Sequence, residues 1–260
     1  KLGKSEYTDF LTLSFSSTDY IGHKYGVSAI ETEDTYLRLD KDLADFFQFL
    51  DKQVGRNNYT LFLTADHAAV HAPSYLQSLK IPAHYLNMTN FKKFVLKTTK
   101  EYFNSIELIE NISNYQIFLN KEKLENLGLD VNTVAQKLAD EVVNYPEIYK
   151  AVTARTLQTA HFSSGILNAL QNGYNQKLSG DVLMIPNPAT LIRGRKGTSH
   201  GSGYSYDTHV PVIFYGKGIN QGSSSKRYNI TDIAPTIANL LKIEAPNGTN
   251  GVVIDDVLKK

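Results

Sequence analysis

The chain has 260 residues, which is enough for one large α/β domain or for a core carrying an inserted subdomain. Apolar residues at 42% and charged residues at 20% are the balance of a soluble globular protein, and a net charge of +1 lacks the one-sided basic excess of a nucleic-acid binder. With no cysteine, a disulfide framework and a thiolate metal site are both excluded, so any metal must be held by histidine and carboxylate.

No run approaches the ~20 apolar residues that span a bilayer, so neither a membrane nor a nucleic acid is expected as a partner. The start, Lys1 to Tyr7, has no apolar core of a signal peptide and no initiator methionine, and the chain is expected to have been processed or truncated upstream.

Residues 9–15 (DFLTLSF) form the first expected strand, apolar on both faces as in a parallel sheet covered by helices. An amphipathic helix is predicted over about 32–54, where Tyr36, Leu39, Leu43, Phe46, Phe47, Leu50 and Val54 recur at helical spacing; Gly55 and Asn57-Asn58 end it. Residues 59–64 (YTLFLT) read as a second buried strand leading into Ala65-Asp66-His67. Strand, helix and strand together predict a βαβ unit with a right-handed crossover, whose site lies beyond the carboxyl ends of the strands.

The pattern changes between 81 and 180. A helix over 89–103, strands over 105–110 and 115–119, a helix over 131–143 and a strand over 147–153 suggest an inserted α+β subdomain. The core segments are then 1–80 and 181–260. Residues 181–186 (DVLMIP) are expected to return to a core strand, and the stretch from Arg193 to Tyr206, rich in glycine and serine, reads as a loop holding His200. Another buried strand is expected over 210–215 and a helix over 229–241, with Pro235 in its first turns.

Three polar pieces follow these strands or lie in the glycine-rich loop: Asp19 with His23, Asp66 with His67, and His200 with Gly201. Asp and His four apart share one side of a helical turn and can grip one ion. Zinc accepts this mixture of imidazole nitrogen and carboxylate oxygen. Taken singly, each piece has an equally ordinary structural reading. Among the other histidines, His71 reads as a loop residue or a support for a neighbouring ligand, and His84 and His161 have no partner in sequence. Arg193, Arg195 and Lys196 read as a solvated charge run or as anion contacts at the mouth of a site. Tyr204 and Tyr206 read as pocket walls or half-buried surface.

Four runs carry a resemblance: SSTDYIGHKYG at 16–26, FLTADHAAV at 62–70, GTSHGSGYSYDTHVPVIFYGKGI at 197–219 and TDIAPTIANLL at 231–241. In this order they resemble the alkaline-phosphatase superfamily, most closely its type I phosphodiesterase/nucleotide pyrophosphatase-like bacterial members, including the periplasmic phosphate-irrepressible alkaline phosphatases. The resemblance implies an alkaline-phosphatase-like α/β fold with a largely parallel sheet flanked by helices. It implies Asp19, His23 and His200 as ligands of one zinc, and Asp66 and His67 as two of three ligands of a second. His209, in the same run as His200, competes for its role.

The family's other ligand, an early Asp, and its Thr or Ser nucleophile have no counterpart before Asp19, and Thr18 matches the ligand segment instead. The resemblance therefore implies the C-terminal portion of a zinc phosphohydrolase, inactive alone and partnered by the N-terminal portion of the same protein. A phosphate ester substrate and a periplasmic or secreted location go with it. In the intact enzyme two metals about 4 Å apart clamp an in-line displacement, a covalent phospho-enzyme forms, and water hydrolyses it. A non-catalytic metal-binding module, a manganese-dependent mutase and a sulfatase of the same superfamily are the competing readings.

Overall fold

The computed structural model describes residues 2–192 and 196–258. In chain order the helices are α1 (Ser17–Tyr25), α2 (Ile30–Leu50, followed by a wider turn over Asp51–Gly55), α3 (Pro73–Ser78), α4 (Met88–Phe103), α5 (Lys121–Asn126), α6 (Val131–Val142), α7 (Ala154–Thr159), α8 (Gly165–Asn172), α9 (Ser205–Thr208) and α10 (Ile233–Leu241). The strands are β1 (Thr60–Thr64), β2 (His84–Tyr85), β3 (Ile109–Ser113), β4 (Gln116–Leu119), β5 (Ile148–Thr153), β6 (Val182–Pro186), β7 (Thr190–Leu191) and β8 (Val212–Gly216). They fall in two compact units. One comprises Lys1–Phe15, Tyr36–Asp66 and Val210–Lys260; the other comprises Ser16–Thr35 and His67–His209.

The second, larger unit is built on a four-stranded sheet of order β3-β4-β6-β5, with every neighbouring pair antiparallel. Its helices start where the sequence offers caps. Asn87 accepts the Asn90 N–H at the head of α4, and Asp130 accepts the Thr133 N–H at the head of α6. Along α6, Val134, Ala135, Leu138, Ala139 and Val142 recur every three or four residues and all are buried. They meet Phe91 and Val95 of α4 and Ile117, Leu119 and Val182 of the sheet in one continuous core. Each fully buried Leu or Val there contributes about 1.5–3 kcal/mol. A smaller cluster of Val70, Leu76, Ala83, Ala189 and Leu191 lies at the short parallel pair β2–β7.

The other unit pairs β1 with β8 antiparallel, Phe62 opposite Phe214 and Thr64 opposite Val212. Phe47 and Tyr59 approach Tyr215, with ring centroids 6.3 and 6.5 Å away. A turn over Ile230–Asp232 leads into α10, fixed by reciprocal bonds between Asn229 and Asp232. Pro235 occupies the first turn of α10, where its absent N–H removes no intrahelical bond.

Three expectations are corrected. The sheets are small and mostly antiparallel rather than one largely parallel sheet. Residues 9–15 form no strand, and Phe10, Leu11, Leu13 and Phe15 are exposed. The βαβ reading goes with them, since the partner of β1 is β8. The reason is general: an apolar run shows that both faces want covering, but not which strand lies alongside or in what direction. The run over Val182–Pro186 makes the same point. All five residues are buried because β6 lies between β4 and β5, inside the antiparallel sheet. Among the described residues no helix is long and apolar enough to cross a membrane.

Candidate metal centre

Asp19 and His23 stand one turn apart on α1, so their side chains share a face. The stretch over 197–200 runs against the end of this helix. The Thr198 N–H donates to the Gly22 carbonyl at 3.0 Å, and the Thr198 carbonyl accepts from His23 Nδ1 at 2.9 Å. This approach depends on Gly197, whose φ of +81° suits glycine and where any Cβ would overlap the His23 carbonyl oxygen. The Thr198 hydroxyl donates to the Val70 carbonyl, tying the same stretch to the segment after β1. Two residues on, His200 reaches Asp19.

Four side chains converge. Asp19 Oδ2 lies 3.3 Å from His23 Nε2, and Asp19 Oδ1 lies 3.6 Å from His200 Nε2 and 3.8 Å from His67 Nε2. The His67 and His200 rings stack with centroids 3.3 Å apart, and His23 lies 5.1 Å from His200. Asp19, His23 and His200 each offer a ligand atom within 4.8 Å of the others. Ligands bound at the usual distances to a tetrahedral zinc lie about 3.3–3.5 Å from one another, close to the spacings here.

The hydrogen bonds say what kind of guest suits the group. A carbonyl oxygen only accepts, so His23 Nδ1 carries its proton toward Thr198, and His67 Nδ1 carries its proton toward the Ala68 carbonyl at 3.0 Å. In the neutral rings the lone pair is then on Nε2, which on both histidines faces a carboxylate oxygen. Lone pair against carboxylate is attractive only with positive charge between them. This is the tautomer arrangement of metal-ligating histidines, whose outer nitrogen is held by a backbone carbonyl. Burial and the neighbouring His67 pull the His200 basicity below the usual histidine range, against the opposing pull of Asp19, and so favour the neutral, ligating form.

The remaining sequence candidates are placed as follows. Asp66 ends a segment of the other unit, two residues past β1. His209 is exposed at the end of α9, outside the ligand group found among the described residues. His71 bonds to the Ser28 hydroxyl at 2.7 Å and its ring lies against Tyr75. His84 lies in β2, and His161 is exposed. Lys196 is exposed, while Arg193 and Arg195 lie outside the described residues.

Tyr204 and Tyr206 are held in place by hydrogen bonds to the main chain. Their rings stack, the Tyr204 hydroxyl donates to the Pro186 carbonyl at 2.8 Å, and the Tyr206 hydroxyl accepts the Ala189 N–H at 3.0 Å. Burial pushes the Tyr204 hydroxyl up to about 12. Thr198 and Asp207 escaped the sequence reading. Both sit in the glycine-rich run with no periodic signal, and their partners are distant in sequence or backbone atoms.

Residues 2–210 match the family model described as type I phosphodiesterase / nucleotide pyrophosphatase. The chain is 39% identical to alkaline phosphatase PafA of Elizabethkingia meningoseptica over 99% of its own length and 47% of that relative's. It is 40% identical to alkaline phosphatase PhoV of Synechococcus elongatus over 100% of its length and 46% of that relative's. The crystal structure of wild-type PafA superposes with a TM-score of 0.93 at 40% identity, over 99% of this chain and 49% of that one. The chain thus spans about half the length of these relatives.

Proposed function

The chain belongs to the type I phosphodiesterase/nucleotide pyrophosphatase family, and from that premise we propose that it is the metal-bearing portion of a zinc-dependent phosphoric ester hydrolase. The observation that carries this reading is the convergence of Asp19, His23 and His200, with the stacked His67 beside them. Two imidazole nitrogens and one carboxylate oxygen are a zinc ligand set, and the bond from His23 Nδ1 to the Thr198 carbonyl goes with an Nε2 turned toward Asp19. Zinc, when bound, supplies Lewis-acid stabilisation of the charge on phosphoryl and leaving-group oxygens.

The chain's own residues do the preparatory work. Thr198 fixes the His23 ring, Ala68 fixes the His67 ring, and partial burial disfavours the charged form of His200. Asp66, next in sequence to His67, serves a second ion in this reading. In this reading the attacking Thr or Ser and the groups that contact the phosphate ester are supplied by a portion outside this span. The same portion covers the exposed apolar residues of the unit holding β1 and β8, among them Phe10, Leu13, Ile213 and Tyr215. A periplasmic or secreted setting goes with this reading and is tested by fractionating cells that express the whole polypeptide.

Zinc content after dialysis tests the proposal. The chain is expected to retain about one zinc ion, and His200→Ala and Asp19→Ala are each expected to lose it while keeping their far-ultraviolet circular dichroism. No retained zinc, or equal retention in both variants, would overturn it.

A further inference from the structure

Two of the histidines that meet at Asp19, His67 and His200, come from separate runs, and Asp207 joins those two. Its side chain is 4% exposed. Its Oδ2 accepts both the N–H of Ser202, at 2.8 Å, and the Ser202 hydroxyl, at 2.7 Å. Its main-chain carbonyl accepts the Ala68 N–H at 2.8 Å, and the Ala68 carbonyl holds His67 Nδ1. A bonded path therefore runs from His200 through Gly201 and Ser202 to Asp207, and on through Ala68 to His67. Gly201, beside His200, has a φ of +114° and open space around it, a conformation that suits glycine. The bonds from Ser202 to Asp207 fix the residue that follows.

One further feature speaks against a purely structural carboxylate. Oδ1 is buried without a hydrogen-bond partner among the described residues, and an ionised group in that state is costly to keep. A neutral residue would cap the Ser202 turn at lower cost.

From these bonds we infer that Asp207 is a positioning residue of the metal centre, holding His200 and His67 in register for a divalent cation through Ser202 and Ala68. This inference rests on the metal-binding reading above. It concerns a residue that binds no metal itself.

Cobalt(II) titration of the full chain, followed by visible absorption, separates the two. The parent is expected to bind cobalt. Asp207→Ala is expected to bind it about tenfold or more weakly with a shifted band, as when an outer-shell partner is removed. Asp207→Asn keeps an acceptor for Ser202 and is expected to fall between them, as is Ser202→Ala. Parental affinity and spectrum in Asp207→Ala, with only its melting temperature lowered, would make the residue structural and overturn the inference. If Asp207→Ala fails to fold, Asp207→Asn and Ser202→Ala decide, and parental binding in both overturns it. A parent that takes up no cobalt overturns the metal reading, and this inference falls with it.

Discussion

The two units solve the problem of covering apolar surface in opposite ways. In the larger unit the antiparallel sheet lies against α4 and α6, and Phe91, Leu108, Ile117, Leu124, Val134 and Leu138 are completely buried. In the other, the buried apolar residues are few, chiefly Ile219, Ile233, Ala238 and Ile254, while Phe10, Leu13, Phe49, Ile213, Tyr215 and Val252 stay exposed. Both units are similarly rich in apolar residues. The difference lies in partners: β6 is flanked on both sides, whereas among the described residues β1 and β8 pair only with each other. An isolated two-stranded ribbon is marginal in water, so a unit built on one depends on what covers it.

The sharpest way to break this comparison is to remove a core side chain from the larger unit. Phe91→Ala should cost about 3–5 kcal/mol in denaturant unfolding, since the ring is fully enclosed. A cost below ~1 kcal/mol would mean that the core is looser than its burial indicates. A smaller effect is expected at the site. Gly197→Ala should cost about 1–3 kcal/mol, because a Cβ overlaps the His23 carbonyl oxygen at a φ of +81°. It should also weaken zinc retention, as His23 sits on the displaced turn. Loss of stability with unchanged zinc would separate the backbone approach from the metal centre.

The smallest effect belongs to the other unit. Ile213→Ala on β8 should shift stability by no more than about 0.5 kcal/mol, because the side chain is 53% exposed. The same substitution in the whole polypeptide sharpens the comparison. If another portion covers this sheet, the cost should rise to ~2 kcal/mol or more, as for a buried Ile. An unchanged cost in the longer protein would leave the strand without a cover.

Much of the element map was legible in the sequence. The helix predicted over 131–143 is Val131–Val142, and that over 89–103 is Met88–Phe103, because caps and helical spacing act locally. The strands over 147–153 and 59–64 appear within a residue of their predicted bounds. Pairing was not legible. Residues 9–15 have the composition of a central strand yet have no ladder, and Val182–Pro186 joined a different sheet from the one expected.

At the site, Asp19, His23, His67 and His200 stood out through the resemblance of their runs to the family's motifs, since each piece taken singly has an ordinary structural reading. Thr198 and Asp207 did not, since a threonine and an aspartate in a serine-rich loop look like any others until their backbone partners are known.

By itself, the sequence determined where the longer helices α2, α4 and α6 lie, and which side chains have the chemistry to bind a cation. These properties reside in neighbouring residues and in single functional groups. Only the tertiary structure decided that β1 faces β8, that β6 lies between β4 and β5, and that Asp19, His23, His67 and His200 meet. Those outcomes depend on contacts between residues far apart in the chain, and no local pattern encodes the distance or direction at which such residues meet.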